Sequence, residues 1–478
     1  MNESIARRLR APAAALLPPL LALAGCASLS PDGGVADVGR LTEARTGHAV
    51  ALQRSQADVD RAQARVRERL AVPLDAAGAT EIALLDNQDL QARLAGLGVT
   101  EAALVEAGRP RDPQLSLARL AGGGALEVDR GLLVSLLDLL GAPARAEVAS
   151  LRFERARYAA ALAAVATARD AEQAFYEAVA ARQLADYARQ VQDAADAADE
   201  LAQRMAEAGT LSRLDQLREQ AFATEARAEL ARSVQRAQAA QERAARALGL
   251  DAAQLAAVQW PAQLPALPEL PAVPPAGASD AATDPAEQRA LDRRLDIRMA
   301  RLDAAATARG LGLTDVTGYV DLLDLGWQAK AERGAPPTQG PALTLELPVY
   351  DLGAARRSGA RAAYLQALHR VAAAAVDARS EVREAAAARA SAYALARRYR
   401  DELVPLRERI AAETLRRYNG MLVDAFALLA DAREQIAGVT AAVAAQRDFW
   451  LADVRLQHAI DGGAPLAIQS TSTQEQQP

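Results

Sequence analysis

The stretch Leu343-Thr344-Leu345-Glu346-Leu347-Pro348-Val349-Tyr350-Asp351-Leu352-Gly353 decides how this chain is read. Leu343, Leu345, Leu347 and Val349 fall on one face of an extended strand, as a half-exposed sheet requires. Beyond Gly353 the alternation stops. Ala, Arg and Leu then recur from Ala354 to Tyr418, which predicts a helix of about 65 residues and roughly 100 Å. Globular domains rarely need that length, so a strand feeding a very long helix marks a chain that builds something extended.

The motif occurs twice. Val349 to Arg357 matches Leu137-Asp138-Leu139-Leu140-Gly141-Ala142-Pro143-Ala144-Arg145, with Gly353 lying 212 residues after Gly141. Upstream, Leu85 to Leu94 matches Leu291 to Leu302, with Asp296 lying 207 residues after Asp89. Downstream, Gly209-Thr210-Leu211 matches Gly420-Met421-Leu422 at an offset of 211. Three matches in one order at nearly constant offset define an internal repeat.

Each half has the same expected plan. A first helix covers about Thr80 to Ala107, or Pro285 to Gly310. Two strands follow in half one, Gln114 to Leu117 and Leu126 to Leu140, around Gly122-Gly123-Gly124. In half two they are Val316 to Trp327 and Leu343 to Val349, around Gly334-Ala335-Pro336-Pro337. Long helices close each half: Ala142 to Ala208 and Leu211 to Leu248, then Ala354 to Tyr418 and Leu422 to Ile460. The chain thus divides into 1–25, a signal-like leader; 26–79, an N-terminal segment; 80–250, the first repeat; 251–285, a proline-rich link; 286–463, the second repeat; and 464–478, a polar tail expected to be disordered. Pro261, Pro265, Pro268, Pro271, Pro274 and Pro275 make the link an extended connector.

Composition agrees with this plan. Of 478 residues, 51% are hydrophobic but only 4% aromatic, and Ala and Leu carry the apolar share. Small helix-forming residues on several faces, as around Ala159 to Ala168 and Ala385 to Ala396, give a helix two packing seams. Helices that each touch two neighbours close into a ring, unlike the single seam of a two-stranded coiled coil. The net charge is −6 with no basic block, which argues against nucleic acid as a partner. His48, His369 and His458 have no ligand spacing, and no catalytic triad, phosphate loop or paired catalytic carboxylate stands out. The chain is therefore read as no enzyme, with no metal and no cofactor. Asp193, Asp196, Asp199 and Glu200 read as a hydrated helix face. No segment is long and apolar enough for a membrane helix, so any membrane crossing falls to strands of a barrel.

Cys26 is the only cysteine, so no intramolecular disulfide can form. It follows Arg7, Arg8, Arg10 and an apolar run from Ala11 to Ala24, and Leu23-Ala24-Gly25-Cys26 resembles a bacterial lipobox. The resemblance implies cleavage before Cys26, acylation of its sulfur and, with Ala27 next, an outer-membrane address.

The order of helix, strand pair and paired long helices, twice over, resembles the outer-membrane efflux family that includes TolC. The segments that carry the likeness are Asn87 to Ala92, Asp112 to Leu117, Leu347 to Gly353, Arg417-Tyr418-Asn419-Gly420, Leu428 to Arg433 and Leu456 to Gly463. The stretches Ile82 to Leu117 and Tyr418 to Gln435 look closest to its heavy-metal branch. The resemblance implies a mainly helical fold with a small β part. Three protomers would each give four strands to a twelve-stranded outer-membrane barrel, and their helical hairpins would form an α-barrel through the periplasm. It implies a passive exit duct for solutes such as drugs or metal ions. Its partners would be outer-membrane lipid, a periplasmic adaptor and an inner-membrane pump of the proton-driven resistance-nodulation type.

Gly209 with Leu211, and Gly420 with Leu422, then mark helix-to-helix turns, each glycine taking the left-handed backbone angles, at the periplasmic tip that an adaptor grips. Asp424 and Asp431 admit two readings: acidic rings at the pore constriction, or hydrated carboxylates near a helix start. Tyr319, Trp327 and Tyr350 are the aromatic residues expected at the membrane interface. Two other functions compete. An adaptor would carry one hairpin inside a β-rich domain, and a lipid-tethered coiled-coil scaffold would have no use for the strands.

Overall fold

The computed structural model describes residues 29–122, 125–269, 284–332 and 334–463. The leader with Cys26, Gly123 and Gly124, the link from Leu270 to Thr283 and the tail from Ala464 lie outside the described residues. Two compact units are present, and neither follows the sequence repeat. One gathers Leu97–Glu154 and Leu302–Gln366; the other gathers Val35–Gly96, Arg155–Arg301 and the residues from Ala367 on.

The first unit is built on a four-stranded antiparallel sheet in the order β1-β2-β3-β4, from β1 (Gln114–Gly122), β2 (Ala125–Ser135), β3 (Leu322–Glu332) and β4 (Thr338–Glu346). The two hairpins come from different halves of the sequence, and β2 joins them by pairing Leu132 with Trp327. Three expected bounds shift. The second strand ends at Ser135, and Leu136 to Leu140 already belong to a helix, so the motif around Gly141 is the helix start rather than a strand end. In half two the first helix continues to Thr317, and the strand begins at Leu322 rather than Val316. Its partner ends at Glu346, leaving Leu347 and Val349 beyond the ladder, where Pro348 can donate no hydrogen bond.

Helices fill the second unit. It opens with α1 (Val35–Thr46), α2 (Gln56–Leu70), α3 (Ala76–Asp86) and the start of α4 (Gln88–Ala107). It also takes most of α5 (Leu136–Glu207), then α6 (Arg213–Leu248), the short α7 (Ala252–Ala257), α8 (Asp284–Arg293) and the start of α9 (Leu295–Thr317). The later helices are α10 (Ala354–Arg398), α11 (Val404–Asn419) and α12 (Ala425–Asp461). The expected first helix of each half is thus two helices, broken at Asn87 and at Arg294.

The long helix from Ala354 is also interrupted, by a π turn at Tyr399–Leu403 in which the Val404 N–H bonds to the Tyr399 carbonyl. The cause is Pro405. It has no N–H for the carbonyl of Asp401 and its ring crowds that carbonyl, so the chain widens locally instead of kinking.

Alanine lets these helices approach closely. Ala160, Ala161, Ala164, Ala168, Ala171 and Ala178 of α5 are buried, as are Ala237, Ala240 and Ala244 of α6. The scarce aromatic residues are concentrated in one layer of the unit. Phe175 stacks on Trp260 and Tyr176 on Trp450, with ring centroids 6.5 and 5.2 Å apart. Phe449 is packed between Tyr393 and Trp450. The proline-rich link is fastened across this layer, because Gln446 and Trp450 donate to the Pro265 carbonyl and Tyr393 donates to that of Pro268.

Candidate membrane-spanning sheet and helix-hairpin turns

In an antiparallel ladder, residues directly opposite one another share a face. The register therefore sorts the sheet of the first unit into two unlike surfaces. On one face, Leu323 lies opposite Leu345, and Val134, Leu325 and Leu343 form the next row. Above them, towards the hairpin tips, come Leu115, Leu132, Trp327 and Pro341. The other face carries Ser116, Glu127, Asp129, Asp324, Gln328, Lys330, Glu332, Thr344 and Glu346, with Leu120, Leu133 and Leu322 among them. Lys330 there pairs with Glu127 at 2.5 Å and Glu332 at 3.0 Å. Asp129 belongs to this polar face, opposite Lys330, while Arg130 points with the leucines.

Both faces are largely exposed, and exposure is costly only on the apolar one. Leu115 and Leu117 are 69% exposed, Leu343 66% and Trp327 50%, although water would favour their burial by roughly 1.5–3 kcal/mol each. A contiguous exposed patch of this kind calls for an apolar partner. Strands of nine and eleven residues match the length that crosses a bilayer at a tilt. Of the expected interface aromatics, Trp327 sits within the apolar face. Tyr319 and the fully exposed Tyr350 lie just past the strand ends, where Arg357 stacks over the Tyr319 ring at 4.4 Å. Arg356 pairs nearby with Asp321 at 2.5 Å.

In the second unit, two helix hairpins end in turns of one design. In the first, Thr210 N–H bonds to the Met205 carbonyl and Gly209 N–H to that of Ala206, with Gly209 left-handed at φ 73°. In the second, Leu422 N–H bonds to Arg417 and Met421 N–H to Tyr418. The left-handed residue there is Met421, at φ 58°, while Gly420 keeps φ −84°. The expectation that Gly420 supplies the left-handed turn is thus corrected: the hydrogen bonds align Met421 with Gly209, at the same offset of 212 found for Gly141 and Gly353. Ser212 and Asp424 then cap the next helices alike, accepting from the N–H three residues on, Asp215 and Ala427.

Left-handed backbone costs an L-residue about 1–2 kcal/mol. Met421→Gly is therefore expected to raise the stability of the purified protein by about 1 kcal/mol, and Gly209→Ala to lower it by a similar amount. Thermal unfolding measures both, and equal effects of either sign would contradict the assignment.

No family model and no curated protein matches the sequence. Solved structures do. The outer membrane protein VceC of Vibrio cholerae superposes with a TM-score of 0.65 at 18% identity, covering 84% of this chain and 98% of that one. The CmeC outer membrane channel of Campylobacter jejuni gives 0.68 at 14% identity, covering 92% and 93%. The MtrE outer membrane channel of Neisseria gonorrhoeae, solved in its open state, gives 0.63 at 17% identity, covering 80% and 88%. The chain has the fold of these outer-membrane channels. At the level of fold, the expected likeness to the TolC-like family holds, with long helices and a four-stranded antiparallel sheet in place.

Within this channel fold the sequence-derived site residues are distributed as follows. Gly209, Leu211, Gly420 and Leu422 all lie in the two hairpin turns, and Met421 and Leu422 are 94% and 76% exposed. Asp424 is the exposed helix cap described above. Asp431 lies seven residues further along the same helix and accepts a hydrogen bond from Thr414, which ties α12 to α11; Arg407 and Glu434 do the same at 2.7 Å. Asp199 departs from its reading as a hydrated residue. It is buried, accepts from Gln203 and lies near the buried Glu219 of α6, whose pKa is pushed up by burial and by the Asp199 charge, with Arg433 opposing. Asp196 is half-buried and pairs with Arg227 at 2.7 Å, whereas Asp193 and Glu200 are exposed as expected. The facing of these residues depends on three-dimensional packing that i to i+3 spacing alone leaves open.

Among the described residues no group of His, Cys, Asp and Glu could hold a metal ion. The imidazole of His458 is neutral, its pKa pushed down to about 4 by burial and by Arg169 and Arg294. Sequence reading missed the joints at Asn87 and Arg294. Arg294 is 1% exposed, donating to Asp296 at 2.6 and 3.0 Å, to Glu381 at 2.6 Å and to the Ala459 carbonyl at 3.2 Å. Burial alone would lower its pKa, but the bonds to Asp296 and Glu381 outweigh that and the net shift is upward.

Proposed function

We propose that this chain is one protomer of a homotrimeric outer-membrane channel of the TolC-like efflux family, a passive exit duct rather than an enzyme. The observation that carries the proposal is the two-faced sheet. Four strands carry most of their leucines and Trp327 on one side and all of their carboxylates on the other, which is the division between lipid and water in a transmembrane barrel. A lone four-stranded sheet has two open edges, β1 and β4, and lipid tolerates neither. Closing the edges against further copies of the chain satisfies both.

The long helices support the same assembly. Leu368, Val376, Leu395 and Leu406 are exposed along one hairpin, and Leu201, Leu214 and Leu217 along the other, which leaves apolar surface for neighbouring copies. In this reading the turns at Gly209–Leu211 and Gly420–Leu422 form the periplasmic tip that docks the adaptor of an inner-membrane pump. Acyl chains on Cys26 would fasten the protomer to the outer membrane. Asp424, whose carboxylate caps α12, contributes to the tip chiefly as a helix start, while Asp431 holds the second hairpin together. A lipid-tethered scaffold has no role for the exposed sheet face.

The barrel interior would be acidic. The described residues of the polar face hold five carboxylates, Glu127, Asp129, Asp324, Glu332 and Glu346, against one cation, Lys330. The protein in planar bilayers is thus expected to conduct and to prefer cations in a potassium chloride gradient, with Glu127→Gln/Asp129→Asn lowering the preference. Absence of any conductance, with the protein stably inserted, would overturn the duct reading.

A further inference from the structure

The apolar face of the sheet contains two charges, and both are positive. Arg130 lies between Leu117 and Ala329, one row tipward of Leu132 and Trp327, and Gln339 ends the same row. Arg119 lies one row further on, opposite Val128, with only Ala121 opposite Leu126 between it and the tip of the first hairpin. The two arginines are therefore diagonal neighbours on adjacent strands, about 7–8 Å apart at the backbone. Both are exposed. Among the described residues neither side chain has an ion pair or hydrogen bond. Every carboxylate of the four strands, Glu127, Asp129, Asp324, Glu332 and Glu346, is on the opposite face.

Two unpaired guanidiniums on a surface that meets lipid are costly unless an anion meets them. Their position narrows the choice. They sit at the hairpin-tip end of the apolar rows, where long side chains reach out of hydrocarbon into the headgroup layer. Guanidinium forks match phosphate oxygens in charge and in bidentate geometry, and two forks at this spacing can hold one phosphomonoester between them or one oxygen pair each.

We propose that Arg119 and Arg130 form a binding site for the phosphorylated headgroup of a membrane lipid, at the hairpin-tip rim of the apolar face. The proposal rests on the reading of that face as lipid-facing. The lipid's acyl chains lie along Leu115, Leu117 and Leu132, and its phosphate bridges the two arginines. In a trimer the site occurs three times around the rim.

The test uses the full-length protein in detergent, analysed by native mass spectrometry with added dioleoyl phosphatidic acid, with dioleoyl phosphatidylcholine, and with inorganic phosphate as competitor. Phosphatidic acid is expected to bind at least tenfold more tightly than phosphatidylcholine. Arg119→Gln/Arg130→Gln is expected to abolish that preference, and Arg119→Lys/Arg130→Lys to keep part of it. Loss of the preference on adding millimolar inorganic phosphate would replace the lipid site by a soluble-anion site. Equal binding by wild type and the double Gln variant would overturn the proposal. Flotation of the same variants with phosphatidylcholine vesicles separates the two claims. Insertion of the wild type without headgroup preference sinks only the site, and failure to insert sinks the lipid-facing reading with it.

Discussion

Replacing Arg294 with methionine is expected to lower the stability of the protein by about 3–5 kcal/mol, the largest single-residue effect outside the sheet. The side chain is buried at the joint between α8 and α9 and carries three separate partners. Removing it leaves the Asp296 carboxylate, itself 5% exposed, as an uncompensated buried charge. Glu381 contributes less to the loss, because its side chain is 42% exposed and can turn to water. The Ala459 carbonyl at the end of α12 loses a donor as well.

Asp296 cannot simply move away. A Cβ on Gly463 would collide with its carboxylate, so the chain passes over it at closest approach, and the Ile297 N–H holds one oxygen at 2.8 Å. Asp296→Asn in the Arg294→Met background is therefore expected to recover part of the loss. Thermal unfolding of the four members of the cycle measures this coupling. A melting temperature for Arg294→Met within a degree of wild type would contradict the structural role of the joint.

The second large effect concerns the sheet. Leu325→Arg is expected to block assembly into membranes. The residue is 46% exposed and lies between Val134 and Leu343, deep in the apolar rows and two rows from Arg130. An arginine near mid-depth on a lipid face costs about 2–4 kcal/mol per copy, and a trimer incurs it three times. Gln328→Arg, one strand step from Trp327 but on the polar face opposite Gly131 and Gly340, is expected to assemble normally and to alter only ion preference. Vesicle flotation and gel migration of unheated samples compare the two variants. If both fail or both assemble, the division of the sheet into lipid and water faces is wrong.

The parts of this architecture that obey one local rule were legible in the sequence. Leu343 and Leu345 alternate in the strand as they do on the page, and the hairpin turns sit where Gly209 and Gly420 interrupt a helical pattern. The parts set by packing were not. Asn87 and Arg294 lie inside uninterrupted helical periodicity, and tertiary hydrogen bonds fix the breaks there, at Asn87 together with a local cap. Asn87 donates to the Ala247 carbonyl at 3.1 Å and caps Leu90, and Arg294 reaches Ala459. Met421 adopts the left-handed angle although Gly420 is adjacent, because the hydrogen bonds to Arg417 and Tyr418 fix which residue turns. Asp129 and Arg130 look like an interruption of a strand until the register places them on opposite faces, Asp129 beside Lys330 and Arg130 at the hairpin-tip end of the apolar rows. The stretch between Ala27 and Ala79 gave no motif, yet Val66, Leu70 and Leu74 enter the main core of the helical unit.

Electron microscopy of the detergent-purified protein tests the central claim most directly. The account requires a three-fold particle in which the four strands of each copy close a barrel of about twelve strands, continuous with a helical tube of roughly 100 Å. A monomeric rod, or an oligomer whose sheets remain open with Leu115, Trp327 and Leu343 facing an interior, would contradict it.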